Sequence, residues 1–227
     1  MKKSFLWLGS LLLTLQLIGC REHDCPTPVV QTNSSPVIKQ IVLKDAALPE
    51  AGCNSYYPDN NRGSDGRIHT CAWTFNSGYF GAARVWMNFD LSSIPAGAEI
   101  LTAELRLYAD TTNNYNGARG HSSLTGSNEW SIKRVTSDWK ENTLTWNNRP
   151  TYDNVGAISM AESVTGDQMY TVDIASFLND QLAHPDLYYG IMFQIKTEVQ
   201  YRLIAFCSKE HQYGATLKPT LHITYKK

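Results

Sequence analysis

Side chains alternate apolar and polar with a period of two from about residue 39 to the end, and this constrains the fold of the chain more than any other feature. Leu101, Ala103, Leu105 and Leu107 alternate with Thr102, Glu104, Arg106 and Tyr108. Val85, Met87 and Phe89 alternate with Trp86, Asn88 and Asp90, and Ile191, Phe193 and Ile195 with Met192, Gln194 and Lys196. Leu221, Ile223 and Tyr225 alternate with His222, Thr224 and Lys226. Successive side chains of a strand point to opposite faces, so each run predicts a half-buried strand. Shorter strands are predicted at 40–44, 67–75, 130–135, 168–173 and 202–207. Turn residues separate the runs at Ser77-Gly78, Pro95-Ala96-Gly97, Asn116-Gly117, Asn147-Asn148-Arg149-Pro150 and Thr165-Gly166-Asp167. Many short alternating strands at this spacing predict an all-β antiparallel sandwich or barrel. One segment departs: Ile174, Phe177, Leu178 and Leu182 fall at helical spacing, with Asp173 as N-cap and Pro185 as stop, predicting a short helix over 174–183. With 227 residues and 42% hydrophobic composition, a single domain can fill one core.

The amino-terminal segment has a different character. Lys2 and Lys3 precede an apolar run from Phe5 to Ile18, which ends Leu17-Ile18-Gly19-Cys20. This is the layout of a secretory leader, and the run is shorter than the ~20 residues a membrane span needs. A cysteine directly after the small residue resembles the bacterial lipobox, which implies cleavage before Cys20 and acylation of its thiol. Residues 1–19 are then the leader. Residues 20–38, with Pro26, Pro28, Pro36 and the polar run 31–35, form a lipid-anchored tether able to span about 60 Å when stretched. Residues 39–227 are the folded part.

Export permits disulfides. Beyond Cys20, the chain holds Cys25, Cys53, Cys71 and Cys207. Cys25 lies in the tether, and Cys53–Cys71 is the favoured pair because it closes a short loop; buried thiols throughout are the alternative. Formal net charge is −1, or −3 once Lys2 and Lys3 leave with the leader, so no basic excess points to nucleic acid.

Several blocks resemble a known family. Phe89-Asp90-Leu91-Ser92-Ser93-Ile94-Pro95 runs into Ile100-Leu101-Thr102-Ala103-Glu104-Leu105-Arg106-Leu107-Tyr108. Val135-Thr136-Ser137-Asp138-Trp139 is followed by Glu141-Asn142-Thr143-Leu144-Thr145-Trp146-Asn147-Asn148-Arg149-Pro150. Near the end come Phe206-Cys207-Ser208-Lys209-Glu210 and Lys218-Pro219-Thr220-Leu221. In this order and spacing the blocks resemble the DNRLRE domain, also called carbohydrate-binding module family 96, over about 40–226. The resemblance implies a jelly-roll β-sandwich that binds polysaccharide, acidic glycans such as alginate among the family's ligands, without catalysis. It also implies a Bacteroidota-type source and, with the lipobox, an outer-membrane lipoprotein facing outward beside glycan-degrading enzymes or transporters. The stretch 52–66 departs from the family pattern.

Glycans are gripped by aromatic faces and planar hydrogen-bonding groups, and arginine meets a sugar carboxylate with two parallel bonds. Arg84, Trp86, Arg106 and Tyr108, with Lys133 and Arg134 near them, are candidates. If their strands are neighbours, the first four form one basic-aromatic patch. The other reading is a second apolar layer, with Trp86 under a loop and Arg106 paired to Glu104 or Asp90. The loop 113–121 offers Tyr115, Arg119 and His121, which Tyr56, Tyr57 and Tyr79 could join. Trp139, Trp146, Asn148, Arg149 and Pro150 read as structural. The run 59–66 is rich in oxygen donors and admits a structural calcium, although a turn explains it equally well. No pairing of Asp90, Glu104, Asp138, Glu141, Asp173 or Glu210 carries a hydrolase motif, and neither His-Glu-x-x-His nor Gly-x-Ser-x-Gly occurs. The six histidines are scattered and none marks a metal or a cofactor. The chain therefore reads as a binding protein, not an enzyme. A structural or adhesion lipoprotein with a protein partner is the rival reading, and a glycan hydrolase or lyase is a further one.

Overall fold

The structure, a computed structural model, describes residues 36–76, 78–112, 114–115, 118–212 and 216–227. The leader, Cys20, Cys25 and most of the tether lie outside the described residues.

Among the described residues, fourteen strands and one α-helix follow in order: β1 (Ile38–Lys44), β2 (Glu50–Asn54), β3 (Arg67–Phe75), β4 (Tyr79–Met87), β5 (Glu99–Leu107), β6 (Asn114–Tyr115), β7 (Ala118–Arg119), β8 (Ser122–Ser123), β9 (Trp130–Val135), β10 (Tyr152–Met160), β11 (Tyr170–Asp173), α1 (Ala175–Ala183), β12 (Ile191–Ile195), β13 (Arg202–Cys207) and β14 (Thr220–Lys226). Two antiparallel sheets form a sandwich. The smaller runs β1-β14-β5-β11, and the larger, curled one β10-β9-β12-β4-β3-β13-β8, with β2 also paired to β4. The expected all-β sandwich with one short helix is what the chain forms.

The alternation becomes the core. Leu105, Leu107, Leu221 and Ile223 of the smaller sheet pack against Val85, Ile132, Phe193 and Phe206 of the larger. Each such side chain contributes about 1.5–3 kcal/mol through burial. Leu101 departs from its assignment to the buried face. A register shift between Thr224 and Tyr225 pairs Thr102 with Thr224 but Ile100 with Tyr225. This β-bulge turns Leu101 outward, 38% exposed, and Ile100 takes the inward place at 3%. Asn179 of α1 holds the displaced backbone: its Oδ1 accepts the Ile100 N–H and its Nδ2 donates to the Ile100 carbonyl, both at 2.9 Å. Asp173 accepts the Ala175 N–H at 3.0 Å, one residue ahead of the N-cap position at Ile174. The fold closes on itself where Val37 and Lys227 exchange backbone hydrogen bonds of 3.1 and 3.2 Å.

Candidate functional site

β4 and β5 are not neighbours. They belong to different sheets, so the Arg84–Trp86 pair and the Arg106–Tyr108 pair lie on opposite outer faces. The single four-residue patch does not exist. Val85 and Met87 point into the core, which sends Arg84 and Trp86 outward from the larger sheet. Trp86 is nevertheless fully buried, in a second apolar layer with Ala51, Cys53, Val135, Leu144 and Met192. Arg106 pairs with Glu104 at 2.9 Å. Tyr108 is half-buried, and its carbonyl accepts the Cys207 N–H at 2.9 Å.

A loop covers Trp86. Residues 136–151 fold back over the larger sheet, closed at the base by Thr136 N–H to the Thr151 carbonyl at 2.8 Å. Trp139 and Trp146 pack half-buried over the layer, and Trp139 Nε1 donates to the Tyr189 carbonyl at 3.0 Å. The stretch 52–66 clasps this loop. Asn61 Nδ2 donates to the carbonyls of Glu141 and Leu144 at 2.7 and 2.8 Å. Asn147 Nδ2 donates to Asp59 Oδ1 at 2.8 Å. Gly63 is required by contact: a β-carbon there would stand 2.4 Å from the Glu141 carbonyl oxygen. Of the run weighed as a calcium loop, Asp59 thus serves Asn147, and Asp65 pairs with Arg62 at 3.0 Å. Across the clasp, Glu141 Oε1 accepts the Glu50 N–H at 3.0 Å and forms an ion pair with Lys209, which also pairs with Glu210 at 3.0 Å. The segments around 141 and 209, far apart in sequence, therefore meet as an ion-pair network. Glu50 is buried beside it, and burial pushes its carboxyl up to about 8.

The expected Cys53–Cys71 disulfide is absent: both are free, buried thiols in different apolar clusters, one with Trp86 and one with Trp73, Ala83, Leu203 and Ala205. Burial pushes both thiols up to about 12, as for inert core cysteines. His121 is likewise a core residue. Its Nδ1 accepts the Ala205 N–H at 3.1 Å and its Nε2 donates to the Gln168 carbonyl at 2.9 Å, a neutral ring with both nitrogens used. Burial lowers its pKa, and Tyr170 and Phe206 pack edge-on against it. It cannot meet a ligand from that position. Arg119 is exposed on β7, and the Tyr115 side chain lies outside the described residues.

What the larger sheet does present is a rim around its covering loop. The guanidinium carbons of Arg84 and Arg149 lie over the Trp146 ring, 5.1 and 4.3 Å from its centroid. Arg84 Nε and Nη2 reach the two oxygens of Glu198 at 3.1 and 3.3 Å, and its Nη1 reaches Tyr152 Oη at 3.3 Å. Lys133 Nζ lies 5.2 Å from the Tyr152 ring centroid and donates to Gln194 Oε1 at 2.9 Å. Burial, and then the Arg84 charge, hold the Lys133 ammonium below its usual range. Three cations thus stand with one carboxylate around two aromatic rings. Arg149 and Tyr152 also line an open cleft of ≈ 390 Å³ with Asn147, Pro150 and Thr151. Among the sequence-derived candidates, Arg84 and Lys133 belong here. Trp146 and Arg149, read as structural, belong as well, and Tyr152 was missed.

The family model described as carbohydrate-binding module family 96 matches residues 53–225. No curated protein matches the chain.

Proposed function

We propose that this chain, which belongs to carbohydrate-binding module family 96, holds acidic polysaccharide without cleaving it, on the rim of its larger sheet. The observation that carries the reading is the Trp146 ring flanked by Arg84 and Arg149, with Tyr152 and Lys133 alongside. A sugar packs its C–H face against the half-buried Tyr152 ring on the cleft wall, and a uronate carboxylate takes the two parallel N–H groups of a guanidinium. Arg149 is the exposed cation and makes that contact, while Arg84, engaged with Glu198, supports the ring from within. A carboxylate near Lys133 offsets the neighbouring Arg84 charge, which favours anionic over neutral glycans.

Acylated Cys20 and the tether behind it display the module on the outer membrane. There, many copies on one surface raise the effective affinity for a long polymer and concentrate it for separate enzymes or transporters. Isothermal titration against alginate, glycosaminoglycans and neutral glucans tests the ligand. Acidic glycans bind and Arg149→Ala weakens them; binding to none of the three classes favours the protein-partner reading. Product accumulation in reducing-end or unsaturated-uronate assays overturns the non-catalytic reading. Membrane fractionation of a Cys20→Ala variant tests the anchor, with release into the soluble fraction expected.

A further inference from the structure

Where β5 ends, the chain crosses from the smaller sheet to the larger. Ala109 forms an isolated antiparallel bridge with Phe206. The Asp110 N–H donates to the Ala205 carbonyl at 3.2 Å, and the Cys207 N–H to the Tyr108 carbonyl at 2.9 Å. This crossing sets Asp110 beside Cys207. The turn after β13 then brings His211 back to the same place. Its N–H donates to the Ser208 carbonyl at 3.2 Å, while Ser208 Oγ is pinned to the Asp65 carbonyl at 2.7 Å. A carboxylate, a thiol and an imidazole result, all buried, with one ligand atom from each within 4.8 Å of the others. His211 Nε2 and Asp110 Oδ1 are 3.6 Å apart. Two donors on one tetrahedral ion with bonds near 2.0 Å stand about 3.3 Å apart, so this pair is already close to ligand spacing. Bringing the widest separation of the three to bonding range takes a shift of about 1 Å.

The donor set selects the ion. Calcium and magnesium take oxygen ligands, whereas a thiolate with an imidazole and one carboxylate suits zinc and its neighbours. There is also a way in, because Asp110 and His211 line an open cleft of ≈ 440 Å³, with Glu210 and Thr112 on its wall. We propose that Asp110, Cys207 and His211 bind one zinc ion, with its fourth coordination position open to this cleft. The site lies at the junction of the two sheets and shares no residue with the Trp146 rim, so it stands independently of the glycan reading.

The test uses the purified protein, stripped with a chelator and titrated with cobalt(II) as a spectroscopic probe, then with zinc. One cobalt per chain is expected, with thiolate-to-cobalt absorption in the near ultraviolet that zinc displaces. Cys207→Ser abolishes the band, Cys53→Ser keeps it, and His211→Gln weakens cobalt binding about tenfold or more. Circular dichroism establishes that each variant is folded. A wild-type protein without a stoichiometric band overturns the proposal, as does a band that survives Cys207→Ser. Should Cys207→Ser fail to fold, undiminished cobalt affinity in His211→Gln overturns it, and weakened affinity sustains it.

Discussion

The two outer faces of the sandwich are built from the same alternation and end in opposite states. On the smaller sheet, Thr102, Glu104, Arg106, His222 and Thr224 stand open around a shallow cleft of ≈ 230 Å³, and Arg106 is neutralised by Glu104. On the larger sheet, Trp86 and Met192 occupy the equivalent outward positions but are fully buried by the loop 136–151. A strand pattern tells which side chains leave the core; it does not tell whether another segment will cover them. The covered face gains a second apolar layer, and the rim of the cover gains rings with cations beside them.

The contrast breaks most readily at Trp86. Trp86→Ala is expected to lower unfolding free energy by about 3–5 kcal/mol, and Arg106→Ala on the open face to change it by less than about 0.5 kcal/mol; urea unfolding of both variants makes the comparison. Equal effects would mean the loop does not form a true second core. Glu50, beneath the clasp, adds a pH signature. Its carboxyl titrates near 8 in the folded chain against an ordinary 4.5. The native state therefore holds a proton that the unfolded chain has lost. Between about pH 5 and 8 this group makes stability fall as pH rises. Glu50→Gln removes that contribution and is expected to be the more stable form at pH 9, by several kcal/mol; denaturation across pH reads it. Gly63→Ala probes the clasp itself. With 2.4 Å to the Glu141 carbonyl oxygen, the added methyl forces the two loops apart at a cost of about 1–3 kcal/mol, visible as a lowered unfolding midpoint. The smallest effect concerns affinity. Trp146→Ala is expected to weaken binding of an acidic glycan about tenfold, near 1.4 kcal/mol, while Arg106→Ala leaves it within about twofold, both read by calorimetry.

Much of the fold was legible because burial and period coincide. β3, β9, β12 and β13 fall at the residues their patterns predict. β2 was missed because Glu50, Ala51, Cys53 and Asn54 are all buried, so no alternation marks it. β10 was missed for the opposite reason: it is an exposed edge strand with a register break between Asp153 and Ile158. Leu101 was misplaced because a bulge depends on the partner strand, which the local sequence does not contain. The site was less legible. Trp86 was read either as part of an open patch or as packed under a loop, and the second reading is what the chain forms; His121, a loop-borne candidate, is likewise buried by segments distant in sequence. Conversely, Trp146 and Arg149 looked like structural residues because they sit in the block that most resembles the family, and only the fold brings the exposed Arg149 over the Trp146 ring and onto one cleft with Tyr152.

The paired backbones of Val37 and Lys227 bring together the two ends of the 36–227 unit. A brief linker across that gap, with the chain reopened at the exposed Ala96-Gly97 turn, yields a circular permutant in which every long strand remains intact. Under the proposed anchoring, a tether joined at this new position would hold the sandwich in a different attitude, so the direction in which the proposed rim faces a polymer would follow from chain order and could be engineered separately from the chemistry of the rim.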